Sequence, residues 1–290
     1  MVDMKTRECP ICQCTNLEVL YEKQRRKLLI CEICRHIFWR EKPSPNELSE
    51  YYSNRYGTSH NQIEIQKKNL GYYVDHIAEL IDFSHSQPSS STIVDFGSSY
   101  PILLMKAKEM GFNQVIGVDW DSKAIDYGMD HGILMMTPAE FTKSIADSSA
   151  DIVRFSHVIE HPLDPVLLLQ EVARKIRPGG LLYITQPNLP VFAFQQSPSE
   201  IPDAVWPEHL HFFSALSLCD LVSRVGLKVA KFSSHQNANE VLTKYALQID
   251  YAYAAKKLLA FADLSEPSFG RLCNYPIYAG KNSVMYAIRK

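Results

Sequence analysis

The stretch Val94-Asp95-Phe96-Gly97-Ser98-Ser99-Tyr100-Pro101 decides the fold of this chain. It begins in a short apolar run, passes through a turn with one glycine, and continues into residues 102–110, which carry the apolar spacing of a helix. A glycine at such a turn lets the backbone approach a ligand closely, and the start of the helix offers unpaired N–H groups to an anion. The stretch therefore predicts the first β–α unit of a ligand-binding sheet.

The next apolar run, residues 114–119, ends in Asp119, and Trp120 follows it. In a nucleotide-binding β–α–β unit, an acidic residue about 20 residues after the turn accepts hydrogen bonds from ribose hydroxyls. The indole of Trp120 offers an apolar face for an adenine ring. The pattern G-x-G-x-x-G is absent, so the sequence lends little support to a dinucleotide.

Short apolar runs alternate with amphipathic helices from residue 92 to the end of the chain. This alternation is typical of a parallel sheet with helices on both faces. Strands are predicted at residues 92–96, 114–119, 133–136, 152–155, 181–186, 227–232 and 284–288, and helices at residues 102–110, 122–131, 165–176 and 215–225. Asp164 and Pro165 are expected to start the third of these helices and Pro178-Gly179-Gly180 to end it. The predicted fold class is α/β, with a doubly wound, mostly parallel seven-stranded sheet.

Five of the seven cysteines fall within the first 34 residues. Four of them form two C-x2-C pairs, Cys9 with Cys12 and Cys31 with Cys34, and 18 residues separate the pairs. Each pair lets one tight turn present two thiolates to the same ion, and two such turns complete a tetrahedron. The sequence therefore predicts a zinc ribbon with a structural Zn2+, because four thiolates leave no open coordination position.

Several features of this segment leave alternatives open. Free or redox-active thiols are the other interpretation of the cluster, and Cys14 and His36 lie near enough in sequence to compete as ligands. Gln13 and Arg35 occupy the positions after each pair where a small residue or glycine is usual. The basic run Lys23-Gln24-Arg25-Arg26-Lys27 either contacts phosphate or is a solvated hairpin turn.

Three domains are predicted. Residues 1–42 form the zinc ribbon, residues 43–90 form a helical linker and cap, and residues 91–290 form the sheet domain. The linker opens at Pro43-Ser44-Pro45, carries predicted helices at residues 46–52 and 62–83, and closes in a Ser-rich break. A helical insert at about residues 237–264 precedes the last predicted strand.

Composition excludes several classes of protein. The chain has 290 residues, of which 46% are hydrophobic and 21% charged, and this ordinary usage excludes wholesale disorder. A formal net charge of −2 disfavours a nucleic-acid partner. No apolar run approaches the ~18 residues that span a bilayer, and the polar N-terminus lacks a signal-peptide core. The sequence thus predicts a cytoplasmic protein without a membrane partner; its oligomeric state stays open.

The segments downstream of Asp119 identify a family. Ala139-Glu140, Ser149 to Ser156, His157-Val158-Ile159-Glu160-His161, Arg177-Pro178-Gly179-Gly180 and Gln186-Pro187-Asn188 follow one another in this order. The run resembles class I S-adenosylmethionine-dependent methyltransferases of the group labelled types 11, 12 and 23, over residues 72–290. The N-terminal ribbon with its nearby tyrosines, Tyr51, Tyr52 and Tyr56, also resembles a subset of bacterial members with a small zinc module, which includes sugar C-methyltransferases.

The resemblance implies a cofactor, S-adenosylmethionine, and residues that bind it. Asp95, Gly97, Ser98 and Ser99 would form the turn at the methionine moiety, and Asp119 would bind the ribose. Trp120 and the backbone of Ala139 would frame the adenine, and the backbone of Ser156 would meet the amino group. The family pattern D-x-G-x-G-x-G is broken at Ser99 and Pro101, and Pro138 replaces an acidic residue that often contacts adenine.

An activated methyl group needs chiefly an aligned acceptor, and a hydroxyl acceptor gains from a general base, most often histidine. His161 and His211 are the predicted catalytic residues, ahead of His157 and His209, because both are expected on loops past strand ends, where open α/β sheets build their sites. Glu160 beside His161 could orient the imidazole or hold a metal. Residues 188–207 are predicted to form a flap over the acceptor pocket or a surface loop.

These observations favour methyl transfer to a small-molecule acceptor, a sugar or sugar-nucleotide hydroxyl or carbon. One alternative is an RNA methyltransferase that docks RNA through the ribbon; the net charge and the sequence Phe155-Ser156-His157-Val158 after the fourth predicted strand of the sheet count against it. The other is a degenerate, non-catalytic binding protein, which the altered turn at Ser99 and Pro101 would suit.

Overall fold

The structure is a computed structural model that describes residues 7–23, 26–44, 46–48, 50–51, 59–187, 206–235 and 282–290. The predicted insert at residues 237–264 and nearly all of the predicted flap lie outside these residues. The strands, in chain order, are β1 (Leu17–Lys23), β2 (Arg26–Cys31), β3 (Ile37–Trp39), β4 (Thr92–Phe96), β5 (Gln114–Val118), β6 (Leu134–Met136), β7 (Ala150–Ser156), β8 (Ile176–Pro187), β9 (His211–Phe212), β10 (Leu227–His235) and β11 (Asn282–Arg289).

Helices connect these strands. They are α1 (Ser59–Lys68), α2 (Leu70–Ser84), α3 (Ile102–Glu109), α4 (Ser122–Asp130), α5 (Pro138–Ser144), α6 (Pro165–Lys175) and α7 (Ala215–Arg224), with one turn of 3-10 helix at Pro88–Ser90. Among the described residues, no helix combines the length and apolar character that crossing a membrane requires.

Seven strands form one sheet in the order β10-β11-β8-β7-β4-β5-β6. The pairs β4–β5, β4–β7 and β5–β6 are parallel. All five residues of β4 are buried, as expected for a strand covered on both faces. The chain runs outward from β4 through β5 to β6 and then returns to the other side of β4, so the strand order reverses between β4 and β7. The predicted seven-stranded, mostly parallel α/β sheet is confirmed.

Local details differ from the prediction in three places. The single helix predicted at residues 62–83 is two helices, α1 and α2. Helix α6 ends at Lys175, and β8 already begins at Ile176, so Pro178-Gly179-Gly180 lies within a strand rather than ending the helix. Helix α5 was not predicted, although its capping box is visible in the sequence: the Thr137 hydroxyl accepts from the Glu140 N–H and the Glu140 carboxylate accepts from the Thr137 N–H.

A second sheet has four strands in the order β1-β2-β3-β9. Its pairs are all antiparallel, and β9 joins β3 with Ile37 opposite Phe212 and Phe38 opposite His211. The buried core of this sheet consists of Leu28, Ile30, Ile37, Trp39 and Phe212. The hairpin of β1 and β2 is therefore joined by a third strand, β3, and by a fourth strand, β9, from far along the chain.

The chain divides into two compact units. The first unit comprises Met1–Tyr51, Ile159–Gln170 and Ile184–Ala287, and it contains the four-stranded sheet. The second unit comprises Tyr52–Val158, Glu171–Tyr183 and Ile288–Lys290, and it contains β4 to β7.

Candidate functional site

The turn after β4 holds two residues in the left-handed region. Gly97 has φ of +73° and Ser99 has φ of +50°. The N–H groups of Gly97 and Ser98 both donate to the carbonyl of Val118, at 2.7 and 3.1 Å. The turn is thus tied to the end of the neighbouring strand β5. A serine in the left-handed region is strained by about 1 kcal/mol. This strain is expected because Ser99 replaces a glycine of the family pattern.

Asp119, which directly follows β5, receives two backbone hydrogen bonds. Its Oδ2 accepts from the Ser99 N–H at 2.6 Å, and its Oδ1 accepts from the Asp121 N–H at 2.9 Å. Burial raises the pKa of the Asp119 carboxyl, and these hydrogen bonds oppose the rise. A carboxylate has about four lone-pair sites, so each oxygen can still accept one hydroxyl. The geometry suits the predicted contact with a ribose, which stays a prediction.

The residues predicted to frame the adenine, Trp120 and Ala139, are exposed to solvent. Trp120 is 59% exposed and touches Phe96 edge-on, with ring centroids 5.8 Å apart. Ala139 lies exposed in the first turn of α5, and Ser156 is the half-buried last residue of β7. All eight residues assigned to the cofactor by the resemblance lie in the second unit. Their individual roles stay predictions.

The turn after β7 comes very close to the turn after β4. A Cβ atom added to Gly97 would lie 2.4 Å from Cγ2 of Val158. The residue before Val158, His157, is itself left-handed, with φ of +56°. Two adjacent turns with left-handed non-glycine residues at the ends of β4 and β7 mark the reversal of strand order, where open α/β sheets bind their ligands.

A buried polar chain supports this edge, and sequence reasoning did not find it. Arg154 on β7 donates to Oδ1 of Asp95 at 2.7 Å and, through Nε, to His76 Nε2 at 3.1 Å. Asp95 is 2% exposed, so its carboxyl points into the protein. Burial, and then the charge of Arg154, lower the pKa of His76 to about 3. His76 is therefore a neutral acceptor. Its only sequence signal is a histidine on the apolar face of α2.

The four predicted metal ligands come together. The Sγ atoms of Cys9 and Cys34 are 3.5 Å apart, those of Cys12 and Cys31 are 3.4 Å apart, and all four lie within 4.8 Å of one another. All six cysteines that the structure describes are free thiols. Cys14 lies outside the cluster, and its sulfur accepts from the Asn16 N–H at 3.3 Å.

The two cysteine turns have the same backbone geometry. The N–H of Gln13 donates to the Cys9 carbonyl and the N–H of Arg35 donates to the Cys31 carbonyl, both at 2.9 Å. Gln13 and Arg35 are both left-handed, with φ of +63° and +59°. This explains why glycine is usual at these two positions, since glycine adopts that conformation without strain.

His211 was expected on an open loop, and that placement was wrong. It lies on β9 and is fully buried, with its Nδ1 3.0 Å from His36 Nε2 and its Nε2 3.3 Å from Lys42 Nζ. Burial, and then the charge of Lys42, lower the pKa of His211 well below its usual value. His36 is also buried, against the rings of Phe38 and Phe213, rather than in the cysteine cluster. A catalytic role for His211 stays a prediction.

His161 lies in a different cluster of the first unit. Its Nε2 is 3.8 Å from Oε1 of Glu160, and its ring meets that of His209 edge-on at 4.9 Å. Glu160 is buried, whereas the two histidines are half-buried.

Two described members of the predicted basic run contact protein side chains. Arg26 lies over the Trp206 ring at 4.8 Å, and Lys27 forms an ion pair with Glu22 at 2.9 Å.

The mostly parallel seven-stranded sheet with flanking helices has the fold of class I methyltransferases. A family model described as a methyltransferase domain (type 23) matches residues 66–231, more than half of the chain, so the chain belongs to this methyltransferase family. The methyl donor of the family is S-adenosylmethionine. The protein is an S-adenosylmethionine-dependent methyltransferase.

Individual relatives differ in their reactions. The chain is 25% identical over 211 residues to a ubiquinone biosynthesis O-methyltransferase of Rhizobium rhizogenes, covering 65% of this chain and 83% of that protein. It is 25% identical over 211 residues to the C-methyltransferase NovU of Streptomyces niveus, covering 70% of this chain and 46% of that protein. A solved S-adenosylmethionine-dependent methyltransferase from Archaeoglobus fulgidus shares 19% identity and a TM-score of 0.49, covering 85% of this chain and all of that one.

Proposed function

We propose that this protein transfers a methyl group to a small molecule, and that the acceptor is a hydroxyl or carbon of a sugar or sugar nucleotide. The observation that carries the transfer is the pair of left-handed turns after β4 and β7, joined through Gly97 and Val158, beside Asp119. The matched relatives named for O-methyl and C-methyl transfer support a small-molecule acceptor. The sugar rests on the resemblance to sugar C-methyltransferases with an N-terminal zinc module.

The residues present fit the cofactor. Asp119 keeps lone pairs for two ribose hydroxyls while backbone N–H groups hold its position, and the exposed Trp120 ring offers an apolar surface for adenine. Asp95 is held by Arg154, so we assign it to the support of the turn. When bound, the cofactor supplies a methyl group already activated on a sulfonium, and the protein's part is to orient the acceptor and exclude water.

The cysteine cluster fits Zn2+. A tetrahedral ion with Zn–S bonds of about 2.3 Å separates its thiolates by about 3.8 Å, close to the Sγ–Sγ distances of 3.5 Å for Cys9–Cys34 and 3.4 Å for Cys12–Cys31. Cys9, Cys12, Cys31 and Cys34 would hold the ion, and four thiolates assign it a structural role. Metal analysis of the purified protein is expected to find at least one zinc per chain.

Calorimetry with S-adenosylmethionine and with its demethylated product tests cofactor binding. Asp119→Asn is expected to weaken binding by about 10- to 100-fold, since hydrogen bonds to a charged group contribute about 1.5–3 kcal/mol. Asp121→Asn is the matched control, because Asp121 caps α4 through the Lys123 N–H instead. Failure of the wild-type protein to bind either compound would establish the non-catalytic alternative.

Labelled cofactor incubated with a panel of nucleotide sugars tests the acceptor. Label in a sugar nucleotide, lost in Asp119→Asn and kept in Asp121→Asn, is the expected result. Label only in RNA would overturn the proposal in favour of RNA methylation, and binding to RNA should then fall steeply with salt.

A further inference from the structure

We propose that Glu160, His161 and His209 form a binding site for one divalent transition-metal cation, separate from the cysteine cluster. One possible ligand atom from each residue lies within 4.8 Å of the other two. All three residues belong to the first unit, although about 50 residues of chain separate the Glu160–His161 pair from His209. Packing, rather than a local sequence motif, brings the three together.

The three side chains lie close together. The Glu160 carboxyl is 1% exposed, and its Oε1 lies 3.8 Å from His161 Nε2. The imidazoles of His161 and His209 meet edge-on, so they approach from different directions. The Nδ1 atom of His209 is buried and has no hydrogen-bond partner among the described residues. A buried polar atom without a partner is destabilising, and coordination of that atom to a cation would remove the penalty.

Backbone hydrogen bonds hold the two ligand-bearing segments in place. The N–H groups of Leu210 and His211 both donate to the Glu160 carbonyl, at 2.9 and 3.1 Å. The Leu210 carbonyl in turn accepts from the N–H of Trp39 on β3, at 3.1 Å. The ligand segments are therefore fixed on the four-stranded sheet. Small side-chain rotations would bring the three ligand atoms to roughly 2.1 Å from a shared cation.

The ligand set indicates the kind of cation. Two imidazoles and one carboxylate suit zinc, cobalt, iron, nickel or manganese, whereas calcium and magnesium prefer oxygen ligands throughout. Three protein ligands leave positions open for water or another oxygen ligand.

Titration of the full-length protein with Co2+, with zinc already in the cysteine cluster, tests the site. One Co2+ per chain is expected, with visible ligand-field bands but no thiolate-to-metal charge-transfer bands. Glu160→Gln and His161→Asn are each expected to weaken Co2+ binding by at least about tenfold. His131→Asn, at an exposed histidine whose Nδ1 contacts the Tyr127 carbonyl, is the matched control and should bind as the wild type does.

Three results would overturn the inference. They are absence of Co2+ binding, spectra with thiolate bands alone, and unchanged affinity in both variants. Thermal unfolding of each variant establishes that it is folded; if Glu160→Gln does not fold, the half-buried His161 decides the question. The titration contains neither cofactor nor acceptor, so its outcome is independent of the methyl-transfer assay.

Discussion

The turn after β4 and the four-stranded sheet are built in opposite ways. Residues 92–158 supply β4, β5 and β7, both left-handed turns and Asp119 from one continuous segment. The four-stranded sheet takes β1, β2 and β3 from the N-terminus and β9 from much later, so that His36 and His211 pair across 175 residues. The first arrangement can form as its segment folds, whereas the second requires a long loop to close, at an entropic cost.

Because β9 belongs to the same sheet as the N-terminal strands, the cysteine cluster supports residues that are distant in the chain. The hydroxyl of Ser214 donates to the Cys34 carbonyl at 3.1 Å, and β3 pairs with β9 directly. Glu160 in turn receives the backbone N–H groups of Leu210 and His211. The ion proposed for the cluster would therefore stabilise the segment that carries His209 as well as the ribbon itself.

Cys31→Ser is expected to have the largest effect. Structural zinc contributes about 10–16 kcal/mol of apparent binding energy in small modules, so loss of one thiolate should remove the zinc and unfold the sheet. Hydrogen exchange should show residues 37–39 and 211–212 losing protection together. Cys14→Ser, at a cysteine outside the cluster, should keep both zinc and protection. Continued protection of residues 211–212 without zinc would contradict the support role.

Gly97→Ala tests the continuous segment. The added Cβ would lie 2.4 Å from Val158, and the residue would also be left-handed, so a loss of about 3 kcal/mol is expected from crowding and strain together. Gly226→Ala is the matched control, because Gly226 has φ of +81° but a Cβ there would meet no atom within 4 Å. The control should lose about 1 kcal/mol. Equal losses in urea unfolding would show that the contact with Val158 is unimportant.

His76→Gln is expected to change the pH dependence of stability. The pKa of His76 is about 3 when the protein is folded, against the ordinary histidine value of 6.5, so the unfolded chain binds the extra proton. The folded state therefore loses up to about 1.4 kcal/mol per pH unit as pH falls from 6.5 towards 3. Glutamine can still accept from Arg154 without titrating. Urea unfolding at pH 6.5 and pH 5 should show that the free energy of unfolding falls less with pH in the variant than in the wild type. An equal fall in both proteins would refute a neutral His76.

Ser99→Gly and Gln13→Gly should have the smallest effects, both stabilising. Each residue is left-handed, and glycine relieves up to about 1 kcal/mol of strain, less its own entropy loss on folding. Similar gains in thermal unfolding would show that both turns store the same backbone strain. If Ser99→Gly destabilises the protein instead, the serine side chain contributes an interaction that outweighs the strain.

Apolar periodicity and turn residues were sufficient for the sheet. Six of the seven predicted strands begin within two residues of the observed ones; the strand predicted at Leu181 begins earlier, at Ile176. Helix α5 was missed because it is short, although its Thr137 to Glu140 capping box could have revealed it. The cysteine cluster was also found, because C-x2-C spacing depends only on the geometry of one tight turn.

The placement of His211 was predicted wrongly for a physical reason. His211 was expected to lie on a loop, but the Leu210 carbonyl accepts from the Trp39 N–H and His211 pairs opposite Phe38, so His211 belongs to a strand of the four-stranded sheet. A strand of two residues is too short to show the alternation of apolar and polar residues that identifies a strand in a sequence. Similarly, nothing local to Asp95 indicates that Arg154 and His76 would meet it in the interior.

The amino-acid sequence by itself determined the class of fold, the turn after β4 and the cysteine cluster, because each leaves a short pattern in the chain: alternating apolar runs, a glycine turn and two C-x2-C pairs. The tertiary structure alone decided the addition of β9 to the ribbon, the Asp95–Arg154–His76 chain and the meeting of Glu160 with His209. These partners are far apart in the chain, and only the packing of apolar surfaces selects which distant segments lie side by side.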